Sequence, residues 1–241
     1  MKIYVSCTAN LGDFFNSFPV ISGISKAVGQ KIHLLIRPEM RKFVGIKELI
    51  SYQSFVESVD FYDDVILYNT PVLDLSSWTR TDRNSINRPI ETCRYENWVI
   101  DNYQLKFEVD DDFELQVPKL DIDYLEDKIL IGDRWSVNED PTLDTRRKSY
   151  VIKDSGNYDS DVYKYLDFSN DIVYNLSIIK YNPNPFYSTF TGIAVLANLM
   201  KKETVVLWDE DMRNWIDRPI ELTFDSHFYK DRKINVKYIK D

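Results

Sequence analysis

A strand, a polar turn, a helix and a second strand follow one another at the start of the chain, and this order restricts the fold most. Residues 2–7 alternate and carry β-forming side chains, which predicts a strand. Apolar side chains then recur at helical spacing, which predicts an amphipathic helix over 13–28, with Pro19 bending or tightening its first turns. Gly29 ends that helix, and residues 31–36 form the second strand. Such a βαβ unit predicts a parallel sheet.

The remainder of the first half continues in the same style. We expect a third strand at 64–68, followed by a long polar loop with irregular helix over 69–97. Residues 98–107 are expected to be helical. The acidic segment 121–127 is the predicted linker.

The second half repeats the strand–turn–helix theme without a close internal sequence repeat. We expect strands at 128–133 and 171–174, a buried helix over 190–200 and a strand at 204–208. The fold class is therefore α/β, with two Rossmann-like halves that face each other across a cleft. The predicted domains are residues 1–127 and 128–241.

Composition excludes several classes of protein. Hydrophobic content of 44% and charged content of 29% are typical of a globular chain. No apolar run approaches the ~18–20 residues of a membrane span, and the N-terminus does not read as a signal peptide. With 7 glycines and no Walker or GxGxxG pattern, most P-loop and classical dehydrogenase functions are disfavoured. Cys7 and Cys93 lack metal-site spacing, and two histidines make a Ser-His-Asp enzyme improbable. The expected location is the cytoplasm.

Three short motifs stand in an order that is found in one enzyme family. Leu11-Gly12-Asp13 is followed by Pro19, Asp133-Arg134-Trp135 follows a predicted strand, and Thr191-Gly192 opens the helix of the segment 188–208. Together they resemble the heptosyltransferase-type enzymes, glycosyltransferase family nine. The resemblance implies a GT-B fold, an N-terminal domain that holds the acceptor, and a C-terminal domain that binds the nucleotide-sugar. It also implies transfer of the sugar with inversion.

Asp13 is the candidate catalytic residue. Inverting transfer needs a base that takes the proton of the attacking hydroxyl, and a carboxylate after the first strand of a parallel sheet faces the usual ligand crevice. The family's matching aspartate has this role. The alternative is that Asp13 only caps its helix and complements the helix dipole. We favour the base, because Gly12 and Pro19 are in register with the family motif.

The predicted donor site lies at the start of the buried helix in the second half. Free N–H groups at a helix N-terminus, hydroxyls and a nearby arginine suit a diphosphate. The predicted donor-binding residues are Arg134, Ser188, Thr189, Thr191 and Gly192. Plain helix capping and a surface ion pair of Arg134 are the alternatives. No cofactor and no metal ion are expected.

An arginine-bearing stretch of the first half is the predicted acceptor site. Arginine suits phosphate contacts, and aromatic side chains stack on sugars or bases. The predicted acceptor-binding residues, including two beside Asp13, are Asn10, Gly12, Trp78, Arg80, Arg83, Arg88 and Arg94. Neighbouring acids reduce the local positive charge, so an internally paired surface loop is an equal alternative.

Two acceptors and one rival function remain open. The acceptor is either a phosphorylated glycolipid or saccharide core, or a hydroxymethylated base in phage DNA. A phage enzyme would act in the host cytoplasm, and its target base would have to be turned out of the duplex. The net charge of −9 disfavours nucleic acid binding by the chain as a whole, but not by a local patch. The rival is a degenerate GT-B-like module that binds a nucleotide or partner without catalysis, since Phe190 stands where the family has aspartate.

Overall fold

Two compact units, Met1–Gln116 and Val117–Asp241, make up the chain in the computed structural model. The residues that the structure describes are 2–7, 10–67, 70–75, 90–132, 161–166, 171–189, 192–209 and 234–239. Each unit contains a sheet whose described strands are all parallel. In the described parts of the chain, helices stand between the first and second, second and third, sixth and seventh, and seventh and eighth strands. The predicted α/β class is confirmed.

The first unit is organised around a four-stranded parallel sheet. Its strands are β1 Tyr4–Cys7, β2 Ile32–Ile36, β3 Val56–Phe61 and β4 Val72–Leu75. Their order across the sheet is β3-β2-β1-β4, so β1 lies between two neighbours. β1 and β2 are almost continuously buried, which is typical of a parallel sheet covered on both faces.

The helices of this unit differ from the expected single helix over 13–28. They are α1 Leu11–Asn16, α2 Phe18–Val28, α3 Ile46–Ser51 and α4 Ile90–Tyr103, with 3-10 turns at Pro38–Lys42 and Tyr62–Asp64. The helix is interrupted at Ser17, which lies between α1 and α2. Its hydroxyl donates a hydrogen bond to the carbonyl of Phe14 at 2.6 Å. Pro19 then stands in the first turn of α2, where its missing N–H forfeits no intrahelical bond.

The predicted third strand at 64–68 is wrong. Residues 65–67 have no regular structure, and Ile66 is 76% exposed. The strand is β3 instead, because Val56, Val59 and Phe61 are buried against the core. Helix α4 also begins at Ile90, inside the stretch expected to be a loop.

A cluster of phenylalanine rings holds α1 and α2 in place. Phe14, Phe15 and Phe18 are fully buried and contact one another, with ring centroids 4.7–5.1 Å apart. Phe18 also packs edge-on against Phe55 at 5.4 Å and against Phe113 at 6.1 Å. Such aromatic pairs add to the free energy gained from burial. The short helix α1 is therefore anchored by its buried rings.

Gly23 allows the chain to pass close to α2. A Cβ atom at this position would lie 2.0 Å from the backbone oxygen of Glu108. Two side chains of α2 fasten the same segment: the hydroxyl of Ser22 donates to Asp110 at 2.6 Å, and Lys26 forms an ion pair with Asp110 at 2.8 Å. The close approach requires glycine.

The second unit contains a five-stranded parallel sheet. Its strands are β5 Ile129–Gly132, β6 Tyr163–Tyr165, β7 Phe186–Thr189, β8 Thr204–Asp209 and β9 Ile234–Ile239. The order is β6-β5-β7-β8-β9, which makes β7 the middle strand. Helices α5 Ile172–Tyr181 and α6 Gly192–Leu199 contact each other, and α6 also packs against β7 and β8.

The predicted strand at 171–174 is the start of α5. Asp171 is its N-cap, and its carboxylate accepts hydrogen bonds from the backbone N–H groups of Val173 at 2.7 Å and Tyr174 at 3.2 Å. These bonds satisfy two of the donors that a helix start leaves free. The bonds stabilise a helix here, although the side chains of residues 172–174 by themselves favour a strand.

The division between the units falls at 116/117, whereas the predicted boundary lies at 127/128. Gln116 exchanges two hydrogen bonds with the side chain of Gln53, at 2.9 and 3.0 Å, and so joins the first unit. The carbonyl of Val117 accepts from Tyr181, and that of Pro118 accepts from Ser177. Asn182 holds the expected linker by donating to the carbonyls of residues 124 and 125.

Candidate active site

Asp13 lies just beyond the carboxyl end of β1. It occupies the first turn of α1, the helix that follows β1, and β1 has a neighbouring strand on each side. In a parallel α/β sheet, ligands bind in the crevice outside the carboxyl ends of the strands. The buried Phe14 and Phe15 follow directly and fix the backbone on which the carboxylate stands. The side chain of Asp13 itself is half-buried.

Asn10 is the described side chain that bonds the carboxylate of Asp13. Asn10 stands at the N-cap of α1, but its side chain makes no capping hydrogen bond. Its Nδ2 donates instead to Oδ2 of Asp13 at 3.2 Å. Burial raises the pKa of Asp13, while the hydrogen bond from Asn10 and the positive charge of Arg94 lower it. The carboxylate is thus a stronger base than an exposed aspartate, and two neighbours favour its charged form.

Arg94 brings α4 into this site. It is half-buried, and its charge acts on Asp13. This electrostatic influence is consistent with the packing of α4 against α1. Gly12 lies beside Asp13 in the same turn. Of the other predicted acceptor residues, Trp78, Arg80, Arg83 and Arg88 lie outside the described residues.

Cys7, the last residue of β1, is not a nucleophile in this arrangement. The thiol is fully buried, and burial raises its pKa to about 12. Its Sγ lies 3.6 Å from the hydroxyl oxygen of Ser17. Because the reactive species of cysteine is the thiolate, Cys7 is chemically inert at neutral pH.

The predicted donor residues lie at the carboxyl ends of β5 and β7. Ser188 pairs with Gly132 in the sheet register, so the two strand ends are adjacent. Ser188 is fully buried, and its hydroxyl donates to the carbonyl of Gly132 at 2.6 Å. This hydrogen bond joins the two neighbouring strands. Gly192 begins α6, Thr189 ends β7, and Arg134 and Thr191 lie outside the described residues.

Comparisons with known proteins bear on the fold. No model of a known protein family matches the sequence, and no curated protein matches it either. The solved structures do give matches. A family 9 glycosyl transferase of Veillonella parvula has a TM-score of 0.62 at 8% identity, and the match covers 99% of this chain and 86% of that one.

Two Escherichia coli enzymes are also similar. The heptosyltransferase WaaC with ADP has a TM-score of 0.56 at 10% identity, with 100% of this chain and 94% of that chain covered. ADP-heptose lps heptosyltransferase II has a TM-score of 0.53 at 13% identity, with 98% and 90% covered. The chain has the heptosyltransferase-type GT-B fold. The predicted fold resemblance is therefore confirmed.

The described part of the chain has neither a membrane-spanning helix nor a cluster of metal-binding side chains. None of its helices has the length and apolar content that crossing a membrane would require. Among the same residues, no group of three or more His, Cys, Asp or Glu side chains could hold a metal ion. Asp13 is consequently the described carboxylate that combines a raised pKa with a place at the sheet edge.

Sequence reasoning missed Arg37 and Tyr62 at the same edge. Arg37 directly follows β2, and Tyr62 directly follows β3. The guanidinium of Arg37 lies over the ring of Tyr62, 5.8 Å from its centroid. The position of Arg37 directly after a predicted strand could have indicated this, because residues that follow parallel strands meet at one edge of the sheet. Because the third strand was predicted at 64–68 and not at Val56–Phe61, Tyr62 was not expected at a strand end.

Proposed function

We propose that this protein is a glycosyltransferase that moves a sugar from a nucleotide-diphosphate donor to an acceptor hydroxyl with inversion. The acceptor oxygen forms a bond to the anomeric carbon, while the bond from that carbon to the diphosphate oxygen breaks. The hydroxyl proton passes to Asp13, and the nucleoside diphosphate leaves. No metal ion or cofactor is part of this proposal.

One observation carries the proposal: a half-buried carboxylate with a raised pKa stands at the carboxyl edge of a heptosyltransferase-type fold. A general base works best when its pKa is close to the working pH, so burial makes Asp13 a better proton acceptor. Asn10 bonds Oδ2, and Oδ1, which no described residue bonds, is the oxygen that we propose receives the acceptor's proton. Helix capping does not require this arrangement, since Asn10 already holds the N-cap position.

The donor side of the proposal rests on the β7–α6 turn. Gly192 starts a helix of eight residues, and the N–H groups of its first turn suit a diphosphate. Arg134, Thr189 and Thr191 are proposed to contact the phosphates, with Ser188 holding β7 against β5. The leaving group's charge would be stabilised there. Adenine is the first base to test, because one similar structure is of a heptosyltransferase with ADP and another is of an ADP-heptose heptosyltransferase.

A thermal-shift series of ADP, UDP, GDP and CMP, with and without Mg²⁺, tests the donor assignment. A ligand that binds the native state raises the melting temperature, so one nucleotide should give a selective shift. Arg134→Ala and Gly192→Trp should abolish it, whereas Lys201→Ala, an exposed residue just after α6, should not. If no nucleotide gives a shift at millimolar concentration, the transferase proposal fails.

The acceptor is proposed to be either a phosphorylated glycolipid or saccharide core or a hydroxymethylated base in DNA. Binding to duplex DNA at increasing salt separates the two, because a nucleic-acid enzyme loses affinity steeply as counterions re-condense. No binding at low salt would remove the DNA acceptor. The test is best made with the donor nucleotide present.

A catalytically inactive binding module is the second candidate, favoured by Phe190 in place of the family's aspartate. This candidate predicts nucleotide binding without turnover. It also predicts that Asp13→Asn changes nothing that can be measured. If the protein is an enzyme, Asp13→Asn should lose turnover and retain nucleotide binding.

A further inference from the structure

Helix α4 is bonded to strand β4 through both backbone groups of Asp74. The indole Nε1 of Trp98 donates to the carbonyl of Asp74 at 2.8 Å, and the N–H of Asp74 donates to the hydroxyl of Tyr103 at 2.8 Å. Asp74 pairs with Ser6 of β1 in the sheet register, and its carboxylate accepts from the Ser6 hydroxyl at 2.6 Å. The two bonds from α4 therefore reach the part of the sheet that leads into the turn before Asp13.

Arg94 lies on the same side of α4 as Trp98. The two residues are four positions apart, and side chains with this spacing are neighbours on one face of a helix. Arg94 precedes Trp98, whereas Tyr103 follows it and ends the helix. The bond of Trp98 thus starts about one helical turn from Arg94, and that of Tyr103 starts more than about two turns away.

Another hydrogen bond holds the beginning of α4 against α1. Oγ1 of the buried Thr92 donates at 2.9 Å to the carbonyl of Asn16, the last residue of α1. Arg94 stands in the sequence between this bond and the bond of Trp98 to the sheet. Both sides of the helix segment that carries Arg94 are therefore fixed to neighbouring elements.

Few charged side chains surround the proposed base. Helix α1 packs against α2 and α4. Lys26 is the charged residue of α2, and the described charged side chains of α4 are Arg94, Glu96 and Asp101. Of the described charged residues, Arg94 is the one whose charge acts on the pKa of Asp13. The position of α4 consequently decides how strongly the carboxylate is favoured over the carboxylic acid.

We propose that Trp98 is a positioning residue, whose hydrogen bond to the Asp74 carbonyl holds Arg94 where the guanidinium charge reaches the carboxylate of Asp13. The inference rests on the glycosyltransferase function and adds to it a residue that acts through another side chain. Tryptophan suits this role, because it combines a large rigid ring with a single N–H donor. Without the bond, this face of α4 is free to move away from β4, and Arg94 moves with it.

The test is a double-mutant cycle in the full chain, followed by the titration of Asp13. Trp98→Phe keeps an aromatic ring and removes the N–H donor. The chain is labelled at its aspartate carboxyl carbons, and the NMR signal of Asp13 is identified by its absence in Asp13→Asn. We expect Trp98→Phe to raise the pKa of Asp13 by no more than Arg94→Gln does. In a chain that already carries Arg94→Gln, Trp98→Phe should have no further effect.

Tyr103→Phe is the matched control. It removes the other bond between α4 and Asp74, at an exposed side chain in the last position of the helix, and should leave the titration of Asp13 unchanged. Urea unfolding shows whether each variant folds. If Trp98→Phe does not, Trp98→benzothienylalanine takes its place, since this residue replaces the indole N–H by sulfur in a ring of the same shape. In an active enzyme, loss of the Trp98 bond should also move the acidic limb of the pH–rate profile to higher pH.

Three results would overturn the assignment. These are an unchanged titration of Asp13 after loss of the indole N–H, an equal shift with and without Arg94, or an equal shift in Tyr103→Phe. Turnover and the nucleotide thermal shift are measured on the same variants. If Asp13→Asn loses turnover and Trp98→Phe titrates like wild type, only this inference fails. If the titration depends on Trp98 through Arg94 but no nucleotide binds, the positioning role stands and the transferase function fails.

Discussion

The side-chain amide of Asn10 donates to Oδ2 of Asp13 at 3.2 Å, although Asn10 occupies the N-cap of the helix that carries Asp13. An N-cap asparagine normally accepts a hydrogen bond from a backbone N–H group of the first turn. Here it bonds a carboxylate instead, so the helix start positions a side chain. Burial and this neighbour act on the pKa of Asp13 in opposite directions.

Asp13→Asn should abolish most turnover and leave donor binding intact. The amide cannot accept the hydroxyl proton, and loss of a general base costs about 10²–10⁴-fold in rate. The measurement is kcat with a turnover assay and Kd for the nucleotide by calorimetry. Asp63→Asn, an exposed carboxylate at the same edge, is the control and should keep the wild-type kcat. Equal kcat for Asp13→Asn and wild type would contradict the role of the base.

The same substitution should not destabilise the protein at neutral pH. Because the folded-state pKa of Asp13 is raised above 3.8, the contribution of Asp13 to stability is fully present below pH 3.8 and is lost as pH rises through its folded pKa. The amide side chain of the variant carries no charge and avoids this loss. Urea unfolding at pH 4 and pH 7 measures this effect. The free energy of unfolding of the variant, relative to that of wild type, should be higher at pH 7 than at pH 4. The exposed Asp121→Asn should show no comparable gain, and a large loss of stability in Asp13→Asn at pH 7 would refute the argument.

Arg94→Gln should move the acidic limb of the pH–rate profile to higher pH. Burial raises the pKa of Asp13, and the charge of Arg94 is one of two influences that lower it. Without that charge, Asp13 binds its proton more tightly and becomes active as a base only at higher pH. Arg94→Lys retains the charge and should keep the limb close to its wild-type position. Identical profiles for Arg94→Gln and wild type would show that Arg94 does not act on the base.

Gly23→Ala should destabilise the first unit strongly. The new methyl group would lie 2.0 Å from the carbonyl oxygen of Glu108, so either α2 or the segment crossing it must shift. Overpacking of this kind costs typically about 1–3 kcal/mol and occasionally more. Gly29→Ala is the comparison, since Gly29 has a φ of 69° but no atom within 4 Å of an added Cβ, and should cost only about 1 kcal/mol of backbone strain. Chemical unfolding measures both, and a milder effect at Gly23 than at Gly29 would be evidence against the close approach.

The sequence by itself determined the elements whose signals are local. The opening strand–helix–strand order, the strand at 129–132, the helix after residue 190 and the strand from Thr204 are all present. The spacing of apolar residues in each element indicates which face is buried, whatever segment of the chain packs against that face. The place of Asp13 at the end of β1 follows from the same order, because a residue after a parallel strand must lie at the carboxyl edge.

Tertiary structure alone decided which distant groups meet. Three features depend on segments that are far apart in the sequence. They are the effect of the Arg94 charge on the pKa of Asp13, the close approach of Glu108 to Gly23, and the hydrogen bond from Ser188 to Gly132. Local patterns do not specify such pairings, since the free energy that selects them comes from packing and burial of the whole unit. For the same reason the sequence could not distinguish Arg37, which has no carboxylate partner among the described residues, from Arg41, which has two.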